Sequence, residues 1–179
     1  MRRLLVATVS LLALSAGFYL SVKLNTSPPP MPELPINKSL IGMQQPDFEL
    51  LSNTGESVTN TDYAGKTTLI NFWATWCVPC RKEMPMLMEL HSEFAERGFQ
   101  VVGIALDDVQ PVNRFIEEIN ISYPILVGEA DVMDTSAAFG NVTGVLPYSV
   151  LVDKNGIIRW QHAGDVDREE ISGLLGNLL

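Results

Sequence analysis

The stretch Thr67-Thr68-Leu69-Ile70-Asn71-Phe72-Trp73-Ala74-Thr75-Trp76-Cys77-Val78-Pro79-Cys80 decides the fold. Its first seven residues are β-branched, aromatic and mostly apolar, and too few for a helix, so they predict a strand buried on both faces. From Val78 to about Arg97 the apolar residues Met84, Leu87, Met88, Leu90 and Phe94 recur at helical spacing, and Gly98 supplies the stop. The two cysteines therefore stand between a buried strand and a helix, where an open α/β sheet exposes the carboxyl ends of its strands to ligands.

The same alternation continues outward. Phe99 to Leu106 repeats the buried-strand pattern, and Val109 to Asn120 is helical, with Val112, Phe115, Ile116 and Ile119 on one side. Tyr123 to Val127 is a short strand, Val132 to Phe139 a short helix and Pro147 to Val152 a further strand. Asn155-Gly156 then turns the chain into Ile157 to His162, and Asp167 to Leu179 closes as an amphipathic helix. Ahead of the deciding stretch, Asp47 to Leu51 alternates apolar and acidic residues before the turn formers Ser52 to Ser57, which predicts an amino-terminal hairpin at a sheet edge. The sum is an α/β sheet with one antiparallel edge.

Composition narrows the chemistry. With 46% hydrophobic and 18% charged residues among 179, the chain fills one α/β core and is no disordered polyampholyte. Its net charge of −9 gives a phosphate-tracking surface no footing, so nucleic acid is not an expected partner. Two cysteines make neither a four-ligand zinc site nor a multi-disulfide framework.

Met1-Arg2-Arg3 precedes Leu4 to Val22, nineteen residues without a charge, and Lys23 ends the run. That length is nearer the roughly 20 residues of a spanning helix than the 7–15 of a signal's apolar region, so residues 1–23 are expected to be an uncleaved single-pass anchor. The basic residues before it place the amino terminus in the cytoplasm and the body on the extracytoplasmic, periplasmic side of the inner membrane. Residues 24–39, with Pro28-Pro29-Pro30, Pro32 and Pro35, read as a semi-rigid spacer, and 40–179 as the working domain. Only Glu33 among the acids, and Arg2, Arg3, Lys23 and Lys38 among the bases, precede residue 40, which leaves the domain 20 acidic and 8 basic side chains, a net −12.

Cys77 falls at the first turn of the predicted helix, where free amides and the helix dipole favour a thiolate, so it is the candidate nucleophile. Cys80, three residues on, shares its helical face and lies deeper, as suits a resolving thiol. Pro79 removes an amide that an early helix position can spare. An inert staple, two unrelated reduced thiols, or a Cu(I) site needing a third ligand are the other meanings of the pair.

Asn71-Phe72-Trp73-Ala74-Thr75-Trp76-Cys77-Val78-Pro79-Cys80-Arg81-Lys82-Glu83 resembles the active-site segment of thioredoxin-like proteins of the TlpA, ResA and CcmG (DsbE) group. The resemblance spans residues 40–179 and takes in Pro46-Asp47-Phe48, Gly65-Lys66, Pro85 and Leu146-Pro147. It implies a thioredoxin-like fold, a central mixed sheet flanked by helices with an amino-terminal hairpin and an insert. It also implies a thiol–disulfide oxidoreductase whose only redox group is the Cys77–Cys80 disulfide, without cofactor or metal. A cis Leu146–Pro147 bond opposite the cysteines is carried over from the family, its preceding backbone pairing with substrate. Trp76, Pro79, Leu146 and Pro147 are thus candidate substrate contacts, and Glu83 matches an acid of the group, on one helical face with Cys80 and able to exchange its proton. Asn71 replaces the buried aspartate of cytosolic thioredoxins, which leaves Glu83 as the acid–base group. The partners implied are protein disulfides, as in apocytochrome c or the copper-site thiols of an oxidase, and a thiol electron donor at the membrane.

Pro46-Asp47-Phe48-Glu49-Leu50 and Gly65-Lys66 also open peroxiredoxins, which makes a thiol peroxidase the alternative enzyme, although Ala74 stands where those enzymes carry a threonine. His91 is expected at the surface, His162 as a structural residue, and Asp107 and Asp108 as solvated loop charges.

Overall fold

The computed structural model describes residues 38–179. The anchor expected over 1–23 and the spacer up to residue 37 lie outside the described residues, and among those described no helix is long and apolar enough to cross a membrane. The chain is already tied down at Lys38, whose N–H donates to the Gly140 carbonyl at 3.0 Å, and Leu40 is buried.

Seven strands form one sheet: β1 (Glu49–Ser52), β2 (Ser57–Thr59), β3 (Thr67–Trp73), β4 (Phe99–Leu106), β5 (Ile125–Gly128), β6 (Tyr148–Val152) and β7 (Ile158–Ala163). Their order is β2-β1-β5-β4-β3-β6-β7. The helices are α1 (Val78–Phe94), α2 (Val109–Ile119), α3 (Ala130–Ala138) and α4 (Arg168–Leu178). β3 and β4 pair in parallel from Thr67 against Phe99 to Trp73 against Ala105, and β5 joins β4 in parallel. Connections through helices enforce that sense, because parallel neighbours need a crossover. Antiparallel strands flank this centre on both sides: β1 lies against β5, and β6 against β3. The single antiparallel edge expected from the strand pattern is thus corrected to two, since the hairpin of β1 and β2 takes the far edge and periodicity carries no information on which distant strand it meets.

The period of two in the central strands sorts the core into layers. Leu69 and Trp73, Val101 and Ala105, and Leu151 face α1, α2 and α4 in a cluster that includes Met84, Leu87, Phe115 and Leu175. Ile70 and Phe72, Val102 and Ile104, and Val150 face the other way, against Leu40, Phe48, Val132 and Phe139. Each large side chain so buried contributes on the order of 1.5–3 kcal/mol. All seven residues of β3 are buried, as are all five of β6, so the strand that leads into the cysteines is held from within the core. Gly98, at φ 84°, ends the helical segment where the sequence supplies a stop.

His91 departs from its expected surface position. Its Nδ1 accepts the Val101 N–H at 3.0 Å and its ring lies 6.1 Å from that of Tyr123, so it fastens α1 to β4. Burial and then the Lys66 charge hold its protonation below the usual histidine range. His162 stacks on Trp160 at 5.3 Å in β7.

Candidate active site

β3 ends at Trp73, and Ala74-Thr75-Trp76 lead into α1, of which Cys77 is the N-cap. Cys77 and Cys80 are joined as a disulfide with Cα atoms 5.3 Å apart. The Cys77 Sγ accepts the Cys80 N–H at 3.3 Å, so the sulfur takes the place of the oxygen that usually caps a helix. An anionic sulfur there faces an unpaired amide and the positive end of the helix dipole. Cys77 is 5% exposed and Cys80 not at all, which orders the two by reach. Pro79 sits in the first turn of α1, and Pro85 lies within the helix without ending it.

Trp76 is 66% exposed and Val78 60%, so large apolar surface surrounds the disulfide. The Leu146–Pro147 bond is cis. β3–β6 register pairs Phe72 with Tyr148, which carries Pro147 to the end of β3, and Leu146 packs against the cluster that contains Cys77 and Cys80. Among the described residues neither the Leu146 N–H nor its carbonyl has a backbone partner.

Asp107 is no solvated loop charge. Its Oδ2 accepts both the N–H and the hydroxyl of Thr75, and its own N–H donates to the Gly128 carbonyl at 3.0 Å, so the end of β4 holds the loop before Cys77. Asp108 is exposed, as expected of it.

Glu83 lies one helical turn beyond Cys80, 5% exposed. Its Oε1 accepts Asn71 Nδ2 at 2.8 Å and its Oε2 accepts the Val166 N–H at 3.0 Å. Burial dominates over these two bonds and, with the Asp165 charge, pushes its carboxyl up to about 7. The Tyr123 hydroxyl is also pushed up, by burial and then by the Glu83 charge. One sign of this network stands in the sequence: Asn71 is a carboxamide in the middle of a buried strand. The amide of Val166 carried no sign at all, since a backbone donor 83 residues away is set by the path of a loop.

A disulfide at a helix amino terminus, three residues before a buried carboxyl, is suited to dithiol exchange, and comparison with known proteins agrees. The pattern of the AhpC/TSA family matches residues 41–161. The chain belongs to that family. Within the AhpC/TSA family its relatives fall in the TlpA/ResA/CcmG group. The thiol-disulfide oxidoreductase ResA of Bacillus thuringiensis (strain Al Hakam) is 31% identical over 139 residues, 77% of this chain and 78% of that one. The thioredoxin-like protein YneN of Bacillus subtilis (strain 168) is 34% identical over 134 residues, 73% and 75% of the two chains. Among solved structures, a Chlorobium tepidum protein described as thiol:disulfide interchange protein DsbE superposes with a TM-score of 0.71 at 30% identity, covering 79% of this chain and all of that one. This member of the AhpC/TSA family is accordingly a thiol–disulfide oxidoreductase of thioredoxin-like fold.

Proposed function

We propose that the protein is a membrane-anchored, extracytoplasmic reductase of selected protein disulfides, of the kind that cytochrome c maturation requires. The observation that carries this reading is the Cys77–Cys80 disulfide at the start of α1 with the buried Glu83 carboxyl one turn below Cys80: an acid whose proton affinity burial raises suits a site that must move a proton each time the dithiol forms or is spent. The uncharged run at 4–22 and the proline-rich spacer support the tethered location.

In the proposed cycle the Cys77 thiolate attacks one sulfur of a partner disulfide. The S–S bond of the partner breaks, a Cys77–partner mixed disulfide forms, and the other partner sulfur leaves as a thiolate. Cys80 then gives its proton to Glu83 and attacks the Cys77 sulfur, closing the Cys77–Cys80 bond and expelling the second partner thiolate, which takes up a proton. Two electrons have passed from the Cys77–Cys80 dithiol to the partner, and a dithiol donor at the membrane restores them by the reverse exchange. Leu146 supplies backbone pairing for the partner, and Trp76, Pro79 and Pro147 frame it. Ala74 offers no hydroxyl at the position where peroxiredoxins use one, and the Thr75 hydroxyl is committed to Asp107, so peroxide reduction is the less favoured enzyme reading. A reduction potential well below that of the strong periplasmic oxidant, about −120 mV, is expected, and a value near that figure would contradict a reductase.

A further inference from the structure

Both oxygens of Glu83 are tied to the segment Pro147–Ser149, by separate routes. Oε1 accepts from Asn71 Nδ2, and the same nitrogen donates to Ser149 Oγ at 3.0 Å, two residues past Pro147. Oε2 accepts the Val166 N–H, and two residues earlier the Gly164 N–H donates to the Pro147 carbonyl at 2.9 Å. Among the described residues the other titratable groups that act on the carboxyl are the Asp165 carboxylate and the Tyr123 hydroxyl, and once the disulfide is reduced the Cys80 thiol stands one helical turn before it.

This arrangement serves only an ionised Glu83. An uncharged carboxyl has one oxygen that donates, and the groups that face it, Asn71 Nδ2 and the Val166 N–H, are both donors. Val166 cannot change, because a backbone amide has no acceptor at nitrogen. Asn71 can. It is wholly buried, and its Oδ1 has no hydrogen-bond partner. A half-turn of the carboxamide sets Oδ1 where Nδ2 stands, facing an acid O–H on Glu83 and the Ser149 hydroxyl, which donates as readily as it accepts. The unpaired end is the oxygen in the first orientation and the nitrogen with its two hydrogens in the second, so the amide turns over only when the Glu83 proton supplies the compensating bond. An aspartate at this position would be acceptor-only when ionised, and an apolar residue would serve neither state.

We propose that Asn71 is a positioning residue for disulfide exchange: its carboxamide donates to ionised Glu83, turns over to accept from protonated Glu83, and passes the change through Ser149 to the start of β6 at Pro147. The proposal rests on the reading of Glu83 as the acid–base group. It makes the Leu146–Pro147 segment, where a partner docks in the proposed cycle, and the proton of Glu83 parts of one hydrogen-bonded chain, so that a docked partner and the proton inventory of the site influence each other.

The test uses the reduced full-length protein carrying 15N-asparagine, followed by NMR between about pH 5 and 9, with exchange rates measured in parallel on a synthetic peptide containing one disulfide. The two Asn71 side-chain amide protons are expected to move with one midpoint, shared with the exchange rate, and the Glu83→Gln variant is expected to flatten both profiles. Asn71→Asp, of equal size, is expected to move the rate midpoint upward by about one pH unit, a tenfold change in proton affinity, because the donor is lost and a like charge gained. Asn71 signals that stay constant in the wild type while Glu83→Gln still removes the rate titration would overturn the role of Asn71 and leave that of Glu83. A rate profile unchanged in Glu83→Gln would overturn both. An Asn71→Asp midpoint equal to that of the wild type also counts against the proposal.

Discussion

The backbone N–H of Cys80 donates to the Cys77 sulfur at 3.3 Å, so the more exposed sulfur of the pair is also the one that caps the helix. When the disulfide is reduced, that amide and the helix dipole stabilise a negative charge on Cys77 and give Cys80 no equivalent help. Brief alkylation of the reduced protein at neutral pH, read by peptide mass analysis, is expected to label Cys77 at least about tenfold faster than Cys80. Equal labelling, or faster labelling of Cys80, would contradict the assignment of the two thiols.

Asp107 holds Thr75 by two hydrogen bonds to one carboxylate oxygen. Asp107→Ala leaves a loop amide and a hydroxyl without their acceptor, a loss of about 2 kcal/mol for bonds to a charged group. Asp108→Ala, which removes an exposed carboxylate with no side-chain cap bond to α2, is expected to change stability by less than about 0.5 kcal/mol. Urea titration of both variants with the disulfide intact separates the two roles. Equal effects would return Asp107 to the status of a surface charge.

Glu83 makes a further prediction about stability and pH. Its folded carboxyl titrates at about 7 against a reference of 4.5. Between those values the unfolded chain has lost this proton and the folded chain retains it, so raising the pH draws the equilibrium toward the unfolded state. The contribution is full below pH 4.5 and is lost as pH rises to about 7, a change of about 3 kcal/mol. This runs opposite to the behaviour of a salt-bridged carboxylate. Glu83→Gln, which cannot ionise, is expected to lose that part of the pH dependence and to gain stability over the wild type at pH 8. Parallel curves for the two proteins from acid to mild base would refute the raised carboxyl.

The parts of this site legible in the sequence are those governed by local pattern. The buried run of β3, the helical spacing after Val78 and the stop at Gly98 place Cys77 and Cys80 without reference to any distant residue. The hairpin at Asn155-Gly156 is equally local, and β7 follows it from Ile158. What pattern does not carry is the pairing of groups far apart in the chain. Thr75 meets Asp107, Asn71 meets Ser149, and Glu83 meets Val166 only because three strands and a loop converge at one end of the sheet. His91 failed for the same reason: a polar residue on a helix reads as exposed unless the strand amide it caps is known. The resemblance to thioredoxin-like proteins points to the acid at Glu83, while the bonds that hold that acid, from Asn71 and Val166, exist only in the folded chain.

The most direct test of the account is to express the full-length Cys80→Ser variant, quench thiols with acid, and identify by mass analysis what is covalently attached. A partner protein joined through its cysteine to Cys77 and released by dithiothreitol is the predicted result, with none trapped by Cys77→Ser. A Cys80→Ser protein that retains wild-type exchange activity and carries nothing on Cys77 would contradict it.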